Sequence, residues 1–289
     1  MADVEVRGVR FHVQRLRPPG GGGAHRPAVV FVHAAMSSMA MFYYTVANHV
    51  AVAGYDVILY DLRGHGLSEG PPQGYLVEDM VADLAALLAA VEPGRPVHLV
   101  GYSLGGTIAQ CLTAARPDLV ASLILMEGLV RPRPNANRSA IERSPAADEV
   151  DTLDRLADEL IAGLVAANAG GGPRWAAMTR RLFTQTTFHA DLCKPSFTDA
   201  ETAPLVTRPT LVLSGDQSEF FAEAGHAAGL IPDCVVRVLP GCGHLDILSE
   251  AGPAVRAQVI AWLDAYPMRT ADERSGESRC PGSCSSSPR

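Results

Sequence analysis

A serine between two glycines is the residue in this sequence with the clearest chemical potential. The segment 101–105 reads GYSLG, which has the form G-x-S-x-G, and it joins the apolar run 97–100 to a stretch of helical periodicity at 104–115. In a strand–turn–helix context this pattern is typical of a nucleophile elbow, a tight turn that exposes a serine hydroxyl at a helix N-terminus. A side chain at either glycine would strike the neighbouring strand or helix. The chemistry predicted is nucleophilic attack by Ser103.

A serine hydroxyl is a weak nucleophile at neutral pH, so it needs a general base that is itself oriented by a carboxylate. Among nine histidines, His244 is the best placed, because it lies in a glycine-flanked loop between the last apolar run and the last helical stretch. Two carboxylates follow apolar runs and are placed to orient this histidine, namely Glu127 and Asp216. The residues alone do not decide which of these two carboxylates orients His244.

The negative charge that develops on the attacked carbonyl oxygen requires two backbone N–H donors. One is expected from Leu104, the residue after the nucleophile, and the other from the loop 33–36 that follows the first buried strand. No motif for a nucleotide or a flavin is present, and the spacing of the six cysteines matches no zinc template. We therefore expect acyl transfer through a serine ester, with no cofactor and no metal.

The elements that position these residues alternate between short apolar runs and amphipathic stretches. Apolar runs predict buried strands at 28–32, 57–60, 97–100, 122–126, 210–213 and 234–238. Helical periodicity predicts helices at 76–91, 104–115, 152–166, 174–183 and 253–265, and alternation predicts a hairpin from 4–7 and 9–16. Strands that alternate with helices imply an α/β fold, with a mostly parallel sheet covered by helices on both faces.

The alternation is interrupted once, at about 128 to 205, where a stretch rich in Pro, Arg and Asn precedes two helical segments. We interpret residues 128–205 as a helical cap inserted into an α/β core formed by residues 1–127 and 206–267. Residues 268–289 are rich in Ser, Gly, Pro and Arg and are expected to form a disordered tail.

Composition limits the partners. The chain of 289 residues has 24 Lys and Arg against 31 Asp and Glu, a net charge of −7, and no basic cluster, which argues against nucleic acid as the main partner. No apolar run reaches the roughly 18 residues of a membrane-spanning helix. The N-terminus lacks the pattern of a secretory signal and the cysteines suit reduced thiols, so a cytoplasmic location is expected. The sequence carries no signal of an oligomeric state.

Four motifs together resemble the α/β-hydrolase fold superfamily: VFVHAAM at 30–36, YDLRGHGLS at 60–68, GYSLGG at 101–106 and GCGH at 241–244. The resemblance extends from about residue 25 to 265, apart from the cap, and implies the α/β-hydrolase fold. It implies that the second oxyanion donor is the backbone N–H of Ala35, and that the turn containing His65 is mainly structural. Haloalkane dehalogenases and epoxide hydrolases of this fold have a carboxylate at the elbow, so the serine disfavours their chemistry.

The resemblance also bears on the acid. In most relatives it is the fourth residue of a G-x-x-D segment after the strand at 210–213, a place taken here by Ser218. A minority takes the acid from the end of the strand after the nucleophile helix, where Glu127 stands. One such branch is the zearalenone-type lactone hydrolases, which resemble this chain in their Ser-Glu-His order, in separations of 24 and 141 residues from the serine, and in Phe220-Phe221. The resemblance therefore favours Glu127 over Asp216.

Residues and resemblance together predict a carboxylic ester hydrolase for an ester or lactone of medium size and apolar character. The resemblance to the zearalenone-type branch adds a macrocyclic polyketide lactone as a candidate substrate. Apolar side chains of the cap and core loops are candidates to contact substrate: Met36, Tyr102, Trp175, Met178, Phe183 and Phe188. The same triad would serve an acyltransferase, a thioesterase or a perhydrolase. Two further alternatives are a ligand-binding homologue without turnover and a lyase that uses Ser103 and His244 for proton transfer.

Overall fold

The computed structural model describes residues 2–21, 26–128, 150–166, 171–194 and 199–267. Its strands are β1 (Ala2–Val6), β2 (Val9–Leu16), β3 (Val29–Val32), β4 (Val57–Tyr60), β5 (Val97–Tyr102), β6 (Val120–Met126), β7 (Thr210–Gly215) and β8 (Cys234–Leu239). They form one sheet in the order β1-β2-β4-β3-β5-β6-β7-β8. Strands β3 to β8 are parallel, while β2 pairs antiparallel with β1 and β4. The predicted hairpin and mostly parallel sheet are confirmed.

All helices but the last lie between strands in the chain, and the last one follows β8. They are α1 (Ala40–Phe42), α2 (Asn48–Val52), α3 (Val77–Val91), α4 (Leu104–Ala115), α5 (Val150–Ala166), α6 (Gly172–Thr184), α7 (Phe188–Leu192), α8 (Asp199–Thr202), α9 (Phe221–Leu230) and α10 (Gly252–Ala265), and a π-helical turn (Tyr43–Ala47) separates α1 from α2. The five predicted helices are present. Helices α1, α2, α7 and α8 have five residues or fewer and were not predicted, nor was α9, whose Ala- and Gly-rich sequence has no strong apolar stripe.

Both faces of the sheet are buried, which is why its central strands are apolar at successive positions. On one face Val30 and Leu99 pack in a cluster with Leu84 of α3. On the other face, Phe31 and Val100 belong to a second cluster that includes side chains of α10. The expectation of helices on both faces is therefore confirmed.

Helices α5 to α8 follow β6 and precede β7 in the chain, where the cap is predicted. Leu182 of α6 and Phe188 of α7 are fully or almost fully buried in the first apolar cluster, so these two helices pack on the core. Residues 129–149 of the predicted cap, and the whole predicted tail 268–289, lie outside the described residues. The boundaries of the cap stay a prediction. Within the described ranges, none of the helices combines the length and the hydropathy that crossing a bilayer requires.

Candidate active site

The turn that carries Ser103 joins β5 directly to α4. Ser103 has φ of 53° and ψ of −120°. Residues other than glycine rarely adopt a positive φ unless the surrounding structure imposes it. A Cβ atom at Gly101 would collide with the Gly105 carbonyl, and one at Gly105 would collide with the Val32 carbonyl. The steric reason predicted for both glycines is confirmed. Because the helix and strands approach so closely, the hydroxyl is presented at the carboxyl edge of the sheet.

His244, in the loop after β8, joins the serine to a carboxylate. Its Nε2 lies 3.2 Å from Ser103 Oγ, and its Nδ1 lies 3.3 Å from Glu127 Oε2. The ring is stacked on Tyr102, with centroids 5.5 Å apart and planes 17° apart, and Phe220 meets it edge-on at 4.7 Å. The Tyr102 hydroxyl also donates a hydrogen bond to the His244 backbone carbonyl. The orientation of the imidazole is therefore fixed from several sides.

Glu127 follows β6 in a left-handed conformation, with φ of 47°. Its side chain is 1% exposed and accepts hydrogen bonds at both oxygens, from the Gly215 N–H at 2.5 Å on Oε1 and from the Ser218 hydroxyl at 2.5 Å on Oε2. Burial raises the pKa of this carboxyl, but the hydrogen bonds from His244, Ser218 and Gly215 outweigh burial and hold the pKa below its ordinary value. Glu127 is thus a buried carboxylate aimed at the imidazole.

Asp216, the alternative acid, is placed differently. Its side chain is exposed, and Oδ1 accepts hydrogen bonds from the Gly241 N–H at 2.8 Å and from the Gln217 side-chain amide at 3.2 Å. These contacts connect the loops after β7 and β8. The structure brings Glu127, rather than Asp216, to His244.

The loop after β3 holds the second predicted oxyanion donor, Ala35. The next residue, Met36, has φ of 53°, and its N–H donates to His65 Nε2 at 3.1 Å. Since a Cβ atom at Gly105 would collide with the His33 carbonyl, the first turn of α4 lies directly against this loop. Leu104, the other predicted donor, begins that turn, so the two predicted donors belong to adjoining segments.

Two buried imidazoles connect this loop to the turn after β4. His33 Nε2 accepts the Leu62 N–H at 2.9 Å, and its Nδ1 lies 2.8 Å from the Ala34 carbonyl. His65 accepts the Met36 N–H and has its Nδ1 2.8 Å from the Arg63 carbonyl. Burial lowers the pKa of His33 to about 4, and burial followed by the neighbouring His33 lowers that of His65 to about 3. Both rings are neutral, with the proton on Nδ1, in agreement with a structural role for His65.

Left-handed backbone marks the same region. Among the described residues, four that are not glycine have positive φ, and three of these are Met36, Ser103 and Glu127. They follow β3, β5 and β6, which are neighbours in the sheet and parallel. Conformations of this kind cost free energy and persist where surrounding contacts impose them, often at functional sites. The sequence signals this geometry for Ser103 through the elbow motif, and it holds no comparable signal for the other two.

The six predicted substrate contacts fall into three groups. Trp175 and Met178 are half-buried on α6 against the core loops, near Met36. Tyr102 is turned toward His244, as described above. Phe183 and Phe188 are 0% exposed and pack against each other with ring centroids 5.8 Å apart. Contrary to their predicted role, these two rings lie in the packed core rather than on an accessible wall.

Three contacts of the site were not predicted from the sequence. The Ser218 hydroxyl donates to Glu127, the Tyr102 hydroxyl donates to the His244 backbone, and the Trp175 indole donates to the Met36 carbonyl. The only available signal was that Ser218 occupies the family's usual acid position. Over the part of the chain that the structure describes, no three His, Cys, Asp or Glu side chains converge as metal ligands.

Comparison with known proteins agrees with this architecture. The family described as alpha/beta hydrolase fold matches residues 27–251. A 2-(acetamidomethylene)succinate hydrolase from Mesorhizobium japonicum is 28% identical over 269 residues, which span 86% of this chain and 91% of the relative. An sn-1-specific diacylglycerol lipase from Mus musculus is 28% identical over 240 residues, 77% of this chain and 76% of the relative.

Among solved structures, an enol-lactonase from Burkholderia xenovorans superposes with a TM-score of 0.70 at 22% identity, covering 91% of this chain and 100% of the other. An esterase from Exiguobacterium antarcticum gives a TM-score of 0.70 at 21% identity, with coverage of 90% and 97%. At these identities the likeness shows the fold, and the predicted α/β-hydrolase fold is confirmed. With the family match over most of its length, the chain belongs to the α/β-hydrolase fold family.

Proposed function

We propose that this protein is a serine hydrolase that cleaves carboxylic esters or lactones through an acyl-enzyme. The observation that carries the proposal is the position of His244, whose two ring nitrogens lie 3.2 Å from Ser103 Oγ and 3.3 Å from Glu127 Oε2. Activation of a serine hydroxyl requires a base in contact with it and a carboxylate that orients the base. The contacts of His244 meet both requirements. Relatives named as lipase, hydrolase and lactonase support the same class of reaction.

In the acylation step, Ser103 Oγ attacks the carbonyl carbon of the substrate while His244 Nε2 removes the hydroxyl proton. The imidazolium that forms keeps its Nδ1 proton toward Glu127, whose lowered pKa keeps it ionised to stabilise that charge. The tetrahedral intermediate then expels the alcohol, which takes the proton from Nε2. The product of this step is an ester between the acyl group and Ser103.

The oxyanion of the tetrahedral intermediate is bound by the backbone N–H groups of Leu104 and Ala35. Loss of one such donor typically costs about 10²–10³ in kcat, so these two donors supply a large part of the rate acceleration. The Met36 N–H, which is next in the chain, is committed to His65 and is therefore not a competing donor. Water activated by His244 finally attacks the acyl-enzyme through the same oxyanion site and releases the acid.

The proposed substrate class rests on the apolar side chains where α6 meets the core loops. Trp175 and Met178 are half-buried there and Met36 is buried beside them, and an apolar junction of this kind suits an ester or lactone of medium size and apolar character. The Ser-Glu-His order and Phe220 support similarity to the zearalenone-type lactone hydrolases, whose substrates are macrocyclic lactones. The helical cap at 128–205 and a cytoplasmic location belong to the same proposal.

Active-site labelling with a fluorophosphonate, together with a panel of esters and lactones, tests this function. We expect the wild type to be labelled and to hydrolyse apolar esters, and we expect Ser103→Ala to lose both properties. Ser249→Ala, which alters an exposed serine, is the control and should react as the wild type does. A wild type that is folded but neither labelled nor active on any ester would contradict the proposal. Product analysis with added alcohols or amines separates hydrolysis from acyl transfer.

A further inference from the structure

One face of α6 contacts the core loops at three regularly spaced positions. The Trp175 indole N–H donates to the Met36 carbonyl at 2.6 Å, the Gly66 N–H lies 3.2 Å from Met178 Sδ, and Arg181 Nη2 donates to a backbone carbonyl at 2.7 Å. Residues three apart lie on one side of a helix, so these contacts belong to a single docking face. Of the three contacts, the one from Trp175 reaches the loop that carries Ala35.

Met36 is held at both of its backbone polar groups, from opposite layers of the molecule. His65 of the core accepts its N–H at 3.1 Å, and Trp175 of α6 donates to its carbonyl at 2.6 Å. Each peptide unit is planar, so fixing these two groups sets both backbone dihedrals of Met36. The φ of 53° found there is unfavourable for a residue with a side chain and needs such contacts to persist.

We propose that Trp175 is a positioning residue for the oxyanion loop, and that the oxyanion site is complete only when α6 is docked through this indole. The inference rests on the proposed function. Ala35 immediately precedes Met36, so once the Met36 peptides are fixed its N–H can be reoriented only by the torsions of Ala35 itself and of the residues before it. Without the indole, Met36 keeps the contact at its N–H but loses the one at its carbonyl, and the donor at Ala35 is less well aligned.

This role differs from contact with substrate, which the sequence predicts for Trp175. The single donor of the indole is already used by the Met36 carbonyl, so this donor is not offered to a bound ester. Good alignment of an oxyanion donor matters in the transition state more than in the ground state, because the negative charge develops only during attack. A positioning role therefore predicts an effect on kcat with little effect on KM.

The decisive variant is Trp175→Phe, which keeps an aromatic ring and removes the N–H donor. We expect kcat to fall at least about tenfold while KM changes less than about threefold, since one oxyanion donor is worth about 10²–10³ and would be misaligned rather than removed. The affinity of a trifluoromethyl ketone, which forms a tetrahedral oxyanion on the serine, should fall in parallel with kcat/KM. Arg181→Met is the matched control: it removes a contact of the same helix face away from Met36 and should leave kcat near wild type.

Hydrogen exchange of the indole N–H, in a protein that keeps Trp175, tests the contact independently of whether Trp175→Phe folds. The chain has two tryptophans, so Trp262→Phe leaves one indole N–H signal to follow by NMR. We expect that signal to exchange slowly with solvent, as a hydrogen-bonded donor does. Rapid exchange, an unchanged ketone affinity in Trp175→Phe, or an equal loss of kcat in Arg181→Met would each overturn the inference. A wild type that does not react with fluorophosphonate contradicts the proposed function itself. If the wild type does react, any of the three outcomes above contradicts only the inference about Trp175.

Discussion

The two halves of the candidate site are held in different ways. The proposed acid–base half comprises Ser103, His244 and Glu127, and the contacts described above that hold these residues come from strands and loops around the sheet. The proposed oxyanion half comprises the backbone of Ala35 and Leu104, and Met36, the residue after Ala35, accepts a hydrogen bond from a side chain of α6. The first half is thus surrounded by elements of the sheet and its loops, whereas the loop of the second half also contacts α6, a helix of the predicted cap.

Redundancy of contacts also distinguishes the halves. The Glu127 carboxylate contacts four donors, from His244, Ser214, Gly215 and Ser218. In contrast, each polar group of Met36 has one side-chain partner, His65 or Trp175. Loss of a single neighbour should therefore perturb the acid–base half modestly, unless the carboxylate itself is changed, whereas the described residues offer the backbone of Met36 no second side-chain contact at either group.

The largest effect is expected from Glu127→Gln, which removes the carboxylate and keeps its shape. The four converging donors suit a group that only accepts hydrogen bonds, so the amide NH₂ of glutamine must face one of them. His244 then loses its orienting charge and the tautomer that acts as a base toward Ser103. We expect kcat for ester hydrolysis to fall about 10³-fold or more, as it does when the orienting acid of a triad becomes an amide.

Asp216→Asn is the matched control for this change. Its carboxylate is exposed and accepts hydrogen bonds from the loops after β7 and β8, so kcat should fall less than about tenfold. Equal kcat in Glu127→Gln and wild type would show that the acid–base half does not depend on Glu127. A loss of about 10³-fold in Asp216→Asn would move the acid to that residue.

Acid should weaken the oxyanion half through its two neutral imidazoles. His33 and His65 have pKa values lowered by burial to about 4 and about 3, against 6.5 in an unfolded chain. Below about pH 6.5 the unfolded state therefore binds protons that the folded state does not, and the free energy of unfolding falls with pH. For each pH unit below about 6.5, each ring lowers the free energy of unfolding by about 1.4 kcal/mol. Urea unfolding at about pH 7 and about pH 5.5 measures it.

His98 provides the control for the acid experiment. Burial lowers its pKa to about 4 as well, but it lies within β5 and contacts Ser122, away from Met36. His98→Asn should reduce the slope of stability against pH by about one proton and leave the rest of the dependence intact. A wild-type stability that is flat between about pH 6.5 and 5 would show that the buried imidazoles are not neutral in the fold.

Sequence patterns predicted the acid–base half and the layers that carry it. Apolar runs identified the parallel strands because both faces of the sheet are covered, and the elbow glycines identified Ser103 because only glycine fits between β5, α4 and β3. The sequence also placed Glu127 directly after a buried strand, and β6 ends at Met126. Each of these features depends on residues that are close in the sequence, within one strand or one strand–turn–helix unit. Sequence patterns can therefore predict them.

The oxyanion half was predicted only in outline. The contact of Trp175 with Met36 joins residues 139 positions apart, and no spacing rule relates them. Phe183 and Phe188 illustrate the converse: their aromatic character suggested a pocket, but burial against other rings is decided by how α6 and α7 dock. Long-range packing between the core and the predicted cap is what the sequence pattern does not specify.

A smaller effect is expected from Ser218→Ala, which tests the redundancy of the acid–base half. The Ser218 hydroxyl donates to Oε2 of Glu127, the oxygen that faces His244, whereas Ser214 contacts Oε1 at the longer distance of 3.3 Å. We expect kcat/KM to fall about tenfold, because a hydrogen bond to a charged group is worth about 1.5–3 kcal/mol and other donors remain. Ser214→Ala is the comparison and should fall less. A loss as large as that of Glu127→Gln would mean that the contacts on the carboxylate are not redundant.

The smallest effect is expected from Tyr102→Phe, which removes the hydroxyl that donates to the His244 carbonyl and keeps the ring stacked on the imidazole. A neutral hydrogen bond contributes about 0.5–1.5 kcal/mol, and the ring of Phe220 still contacts His244, so kcat/KM should fall about threefold. Tyr44→Phe, at a tyrosine that is 78% exposed, is the control and should match wild type. A loss of about 100-fold in Tyr102→Phe would give the hydroxyl a part in the reaction itself, and the acid–base half would then depend on a single contact as the oxyanion half does.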